Sequence, residues 1–129
     1  MGRVLIAEDE AVARQLVRRI VEDLGHVAVV SGDGRHAYDT LLIDDSFDLL
    51  ITDIMMPRMS GEDLVLAVRG HPEFDGMPII MMSGVVGYAQ IRHLLEVGVS
   101  LFVPKPIDRE RLLEYLQQYL PAPTPSPQV

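Results

Sequence analysis

Five short apolar runs, separated by longer stretches of helical periodicity, constrain this chain more than any other feature. The runs cover Arg3–Ala7, about Val27–Ser31, the segment from Leu49 to Asp53, Pro78–Met82 and Leu101–Val103. Each is apolar on consecutive residues rather than on alternate ones, as expected of strands buried on both faces. Strands joined through helices can run parallel, because the helix supplies the crossover that a tight turn cannot. The expected class is therefore α/β, with one doubly wound domain whose five-stranded parallel sheet is covered on both faces. Pro104 has no N–H to give to a ladder, which assigns the fifth strand to an edge.

The intervening stretches carry recognisable helix ends. Ala11–Leu24 sets Val12, Leu16 and Ile20 at four-residue spacing as its expected buried stripe, and Gly25 stands in the C′ position. After Gly32-Asp33-Gly34, a helix from Arg35 to about Ile43 turns Ala37, Leu41 and Leu42 inward. Ser60 is the expected N-cap of the next helix, with Asp63 at N3 in an approximate capping box and Leu64, Val65 and Val68 on its core face. His71–Met77 reads as a solvated loop. Tyr88–Val97 places Tyr88, Ile91 and Leu95 at i, i+3 and i+7 before Gly98 ends it. Asp108 caps Arg109–Leu120, whose inner stripe is Leu112, Leu113, Leu116 and Leu120. The expected domain is residues 1–120, followed by a Pro-rich tail or linker stub at 121–129 with four prolines and no charged side chain.

Composition removes several function classes. With no cysteine, disulfides and thiolate metal sites are excluded. No apolar run reaches the roughly 18 residues that span a bilayer. Met1-Gly2-Arg3-Val4 enters a strand directly, without the regions of a signal peptide, so a cytoplasmic location without membrane contact is expected. A net charge of −8 and the absence of a Lys/Arg stripe argue against direct binding to nucleic acid.

Parallel strands bring their C-terminal ends to one rim, where ligands gather in open α/β sheets. That rim collects Glu8 and Asp9 after the first strand, Asp53 at the end of the third, Ser83 at the end of the fourth and Lys105 after the fifth. A carboxylate at the end of a doubly buried strand is costly without partners. Three carboxylates in one place need a cation, or one of them must hold a proton. All-oxygen ligation that retains waters suits Mg²⁺. Lys105 adds a compact positive charge and Ser83 a hydroxyl donor. A carboxylate that attacks phosphorus to form an aspartyl phosphate is a known nucleophile class, and metal, ammonium and hydroxyl are what that transfer needs to balance charge. Taken singly, Glu8, Asp9 and Glu10 would cap a helix, Lys105 would be a solvated lysine and Ser83 a turn residue. Their convergence points to chemistry. His26, His36, His71 and His93 lack ligand spacing, and Met55-Met56 and Met81-Met82 read as core filler.

Glu8-Asp9, the stretch Asp53-x-x-Met-Pro-x-x-Ser-Gly through Gly61, Ser83-Gly84, Phe102 and Lys105-Pro106 together resemble the receiver domain of two-component response regulators, in order and spacing from Asp9 to Pro106. The resemblance extends over about Arg3–Leu120. It implies a flavodoxin-like fold with strand order 2-1-3-4-5, for which a chemotaxis receiver is a known example. It implies Asp53 as phosphoacceptor from a sensor histidine kinase or phosphotransfer protein. It implies a Mg²⁺ site formed by Asp9, Glu8 through water, Asp53 and the backbone carbonyl of Met55, with Lys105 on a phosphoryl oxygen. Ser83 and Phe102 would form the switch, and Lys105–Pro106 would be a cis peptide. The face built from Tyr88–Val97, Leu101–Val103 and Arg109–Leu120 would meet an output protein or domain, or a second copy of the chain. Tyr115 and Tyr119 form an i, i+4 pair that either covers the core edge or belongs to that face.

Several positions vary from the commonest family pattern. Glu8 replaces an Asp, Ser83 replaces a Thr, and Met55 and Val85 are apolar where the hydrolytic water is controlled. A comparatively long-lived phosphorylated form is expected. Two other readings compete. A haloacid-dehalogenase-like phosphatase would need an acid two residues after the nucleophile, where Met55 stands. A degenerate receiver acting only as a protein-binding module would not need Asp53, Asp9 and Lys105 together.

Overall fold

The computed structural model describes residues 2–120 apart from Val85, so the expected tail at 121–129 and the reading of Val85 lie outside the described residues. In chain order the elements are β1 (Arg3–Ala7), α1 (Ala11–Asp23), β2 (Val27–Ser31), α2 (Gly34–Ile43), β3 (Leu49–Asp53), α3 (Gly61–Arg69), β4 (Ile79–Ser83), α4 (Tyr88–Val97), β5 (Leu101–Pro104) and α5 (Arg109–Tyr119). All four strand pairings are parallel and the sheet order is β2-β1-β3-β4-β5. This is the flavodoxin-like arrangement expected from the sequence, with β5 at an edge.

Alternate side chains of each strand enter opposite cores. Leu5, Ala7, Leu50, Ile79 and Met81 pack with α2, α3 and α4 on one face. Val4, Ile6, Leu49, Ile51, Ile80 and Met82 pack with α1 and α5 on the other. β4 is buried along its whole length, which accounts for its unbroken apolar sequence. Truncating one of these side chains to Ala would cost about 2–5 kcal/mol.

Four helix and loop expectations are corrected. In α1 the buried face is Val17, Ile20 and Val21, while Val12 is 75% exposed and Leu16 39% exposed. A four-residue step turns a helix through about 40° beyond a full turn, so Val12 and Ile20 are roughly 80° apart and only the latter faces the sheet. In α2, Leu42 is exposed beside the buried Leu41. In α4, Tyr88 and Leu95 are exposed and Leu94 is the buried residue. The segment His71–Met77 is not simply solvated, since Pro72–Phe74 forms a 3-10 turn that buries Phe74 and Met77. Its carbonyls are satisfied by Arg69, whose guanidinium donates to Phe74 O (2.7 Å), Met77 O (2.8 Å) and Gly98 O (3.0 Å). One side chain thereby ties the end of α3 to the 3-10 turn and to the α4–β5 turn.

Candidate functional site

The three acids that follow β1 have different roles. Glu10 is the N-cap of α1, accepting from Val12 N (3.1 Å) and Ala13 N (2.7 Å). Capping therefore does not occupy Glu8 or Asp9. The Glu8 backbone is fixed at both ends, its N–H donating to Ser31 O (3.0 Å) and its carbonyl accepting from Arg14 Nη1 (3.0 Å). This turns the Glu8 side chain into the protein, where it is 0% exposed, while Asp9 stays at the surface.

Asp53 ends β3 with its side chain 13% exposed. Its Oδ1 accepts from Ile54 N (2.7 Å) and its Oδ2 from Lys105 Nζ (2.8 Å). The same ammonium donates to Glu8 Oε1 at 2.9 Å. Lys105 is delivered by its own backbone, whose N–H donates to Ser83 O at 2.7 Å, and the Lys105–Pro106 peptide is cis. Oxygens of Glu8, Asp9 and Asp53 lie within 4.8 Å of one another.

The electrostatics show a site one cation short. Glu8 Oε2 is buried without a hydrogen-bond partner among the described residues. Burial first, and then the neighbouring Asp53 carboxylate, push the Glu8 pKa up to about 7 against the pull of Lys105. Burial alone would lower the Lys105 pKa, but Asp53 and Glu8 overcome it and hold the ammonium above its usual range. An orphaned buried oxygen beside two further carboxylates is a donor set for a hard divalent cation. The cluster can hold such an ion.

The remaining expected residues are placed as follows. Ser83 ends β4 at 6% exposure, one residue beyond Met82, which pairs with Asp53 across the ladder. Phe102 is half-buried on β5 beside the core under α2, α3 and α4. Met55 lies in the β3–α3 loop, two residues past Asp53, with its side chain 76% exposed. The histidines have other partners: His26 Nδ1 accepts from Gly2 N (2.9 Å), His36 bonds Ser31 Oγ (2.7 Å), His71 bonds Tyr38 (2.7 Å) and His93 faces Glu62 (3.3 Å). Sequence reasoning missed Arg14, which holds the Glu8 carbonyl, and the division of labour by which Glu10 rather than Asp9 caps α1. With three acids in a row the local pattern does not single out the cap, and the Arg14 contact depends on how the Glu8 turn is folded.

Comparison with known proteins agrees with this geometry. Residues 4–117 match the family model of the response regulator receiver domain. A chemotaxis protein CheY homolog of Campylobacter jejuni is 33% identical over 119 residues, covering 92% of this chain and 92% of that protein. Chemotaxis protein CheY1 of Helicobacter pylori is 32% identical, covering 92% of this chain and 96% of that protein. The structure of Vibrio cholerae chemotaxis protein CheY4 superposes with a TM-score of 0.86 at 32% identity, covering 93% of this chain and 99% of that one. The rim of three acids and one lysine, carried on a β2-β1-β3-β4-β5 sheet and matched along almost its whole length, makes this chain a member of the response regulator receiver domain family of two-component signalling.

Proposed function

We propose that the chain is a phosphorylatable switch in which Asp53 accepts a phosphoryl group from a histidine kinase or phosphotransfer protein. One observation carries this reading: Lys105 Nζ bridges Asp53 Oδ2 and Glu8 Oε1 while Glu8 Oε2 has no partner, leaving negative charge that a divalent cation would balance. The Asp53 carboxylate attacks phosphorus, the bond from phosphorus to the donor breaks, and the donor leaves with its electron pair, producing an acyl phosphate on Asp53. Lys105 pairs with a phosphoryl oxygen, and the Ile54 N–H holds the carboxylate in place. Asp9, Asp53, Glu8 through water and the Met55 carbonyl would hold Mg²⁺, whose contribution is positive charge beside the phosphoryl oxygens.

Position supports reading Ser83 and Phe102 as the switch. Ser83 reaches the phosphoryl group from the adjacent strand, and Phe102 moves inward behind it. Both lie beside the α4–β5–α5 face, where Tyr88 is 80% exposed and Leu95 47% exposed and an output protein or a second copy would bind. Lys105 and Glu10 also border a mainly apolar groove of about 270 Å³ formed by Val12, Ala13, Leu16, Pro106 and Ile107, suited to the phosphodonor protein. On this reading the acyl phosphate is later lost by hydrolysis, which makes the chain a self-phosphorylating and autodephosphorylating switch with no turnover substrate. Residues 1–120 form the receiver unit. No described helix is long and apolar enough to cross a membrane, and the −8 net charge disfavours nucleic acid, in keeping with a cytoplasmic protein-binding switch.

Incubation with acetyl phosphate and Mg²⁺ tests this. One phosphoryl adduct by intact mass, lost in Asp53→Ala, is the expected result. No adduct on the folded parent would make the chain a degenerate receiver, and repeated release of phosphate would make it a phosphatase.

A further inference from the structure

Two glycines bracket the loop that follows Asp53, and neither is there for its conformational freedom, since the left-handed glycines among the described residues are Gly25 and Gly98. A Cβ at position 61 would overlap the Asp53 carbonyl oxygen and lie 2.8 Å from the Asp53 carbonyl carbon. A Cβ at position 34, the first residue of α2, would overlap the Met59 carbonyl oxygen and lie 2.8 Å from the Met59 carbonyl carbon. Backbone is in contact with backbone at both places. Between them, Arg58 takes a left-handed φ of 69°, which a non-glycine residue holds only under constraint. Its Nη1 lies 3.6 Å from Asp33 Oδ2, while Asp33 Oδ1 caps α2 by accepting from His36 N at 2.7 Å.

We propose that Asp33-Gly34 at the start of α2 is a positioning element for the cation site, acting through the Met59 carbonyl on the β3–α3 loop and so on the main-chain carbonyl of Met55. The proposal rests on the reading of Asp53 and the Met55 carbonyl as cation ligands. α2 contributes no side chain to the acid cluster, so its influence passes through backbone. The loop is closed on itself by Gly61 N donating to Ile54 O (2.7 Å) and Met59 N donating to Pro57 O (2.8 Å). A push at Met59 cannot be relieved toward Gly61, which already lies against Asp53. It must be relieved toward Pro57 and Met55.

Gly34→Ala tests this by calorimetric titration of the unphosphorylated protein with Mg²⁺. Supporting shells of metal sites typically govern affinity by tenfold or more, and the expected result is a Kd raised about tenfold. Amide resonances of Ile54, Met55, Met56, Arg58 and Met59 should shift in the cation-free protein. The phosphorylation rate at saturating Mg²⁺ should stay within about twofold of the parent, since Asp53 and Lys105 are untouched. Asp33→Asn keeps the cap acceptor and removes the charge facing Arg58, and should raise the Kd about twofold, in line with an exposed pair. A parent-like Kd in Gly34→Ala, with or without a lowered Tm, overturns the proposal. If Gly34→Ala is not recovered folded, a parent-like Kd in Asp33→Asn overturns it instead. Absence of Mg²⁺ binding in the parent would sink the cation-site reading itself, and the proposal with it.

Discussion

The β3–α3 and β4–α4 connections leave neighbouring strands of one sheet and end in helices on the same face, yet they are held very differently. After β3, Gly61 lies against Asp53, Ser60 caps α3 through Asp63 N at 3.1 Å, and Leu64, Val65 and Val68 are buried. After β4, Gly84 and Gly87 have open space where a Cβ would go, Gly87 is an N-cap without a side-chain bond, and α4 buries Leu94 alone. The two helices are comparably rich in apolar residues, so hydrophobic content does not determine how firmly each is seated. Caps, close backbone contacts and the direction of the apolar stripe do. The firm connection carries Asp53, the proposed phosphoacceptor, where geometry must be fixed, and the loosely held one leads to the proposed output face, where a change must be able to register.

The largest expected contrast is between two glycine substitutions. Gly61→Ala should destabilise the fold by about 3–4 kcal/mol, because backbone must move, whereas Gly84→Ala should change stability by less than about 0.5 kcal/mol. Urea denaturation compares them, and equal effects would erase the distinction. Next is the pH dependence of the firm side. In cation-free protein, Glu8 holds its proton up to about pH 7 when folded but only to about 4.5 when unfolded, so its stabilising contribution is complete below 4.5 and is lost as pH rises through 7. The loss should approach roughly 3 kcal/mol, disappear in Glu8→Gln and be offset by Mg²⁺ above pH 7. Thermal melts with EDTA and with Mg²⁺ across that range measure it. On the loose side, Leu94→Ala should cost about 2 kcal/mol and lower amide-exchange protection in α4 while leaving α3 protected. The smallest effect is expected of Gly87→Ser, which supplies the missing cap at a residue already extended (φ −70°, ψ 151°) and should stabilise α4 by a few tenths of a kcal/mol, read as slower exchange in its first turn.

The parts legible in the sequence were those set by local pattern or by topology. Five apolar runs between helical stretches gave the parallel sheet, Ser60 gave its cap, and the rule that parallel strands end on one rim brought Glu8, Asp9, Asp53, Ser83 and Lys105 together. The parts not legible depend on where an element sits over the sheet. Val12 and Tyr88, in the first turns of α1 and α4, are exposed despite helical spacing, because spacing alone does not say which side of the stripe meets the sheet. Phe74 and Met77 are buried because Arg69, distant in pattern though near in chain, satisfies the carbonyls of that turn. The fit of Gly34 beneath Met59 joins two segments with no sequence relation.

The Arg69 guanidinium also grips Gly98, the residue that ends α4, through two bonds of 3.1 and 3.0 Å to its carbonyl. α4 is therefore tied to its neighbours at its Gly98 end, which would be the pivot of any tilt, while its Gly87 end is an N-cap without a side-chain bond. A ten-residue helix is about 15 Å long, so a tilt of roughly 10° about that pivot carries Tyr88 through about 2–3 Å while Gly98 stays still. With an arginine of the neighbouring helix holding the Gly98 end, any such tilt would displace the tyrosine end most.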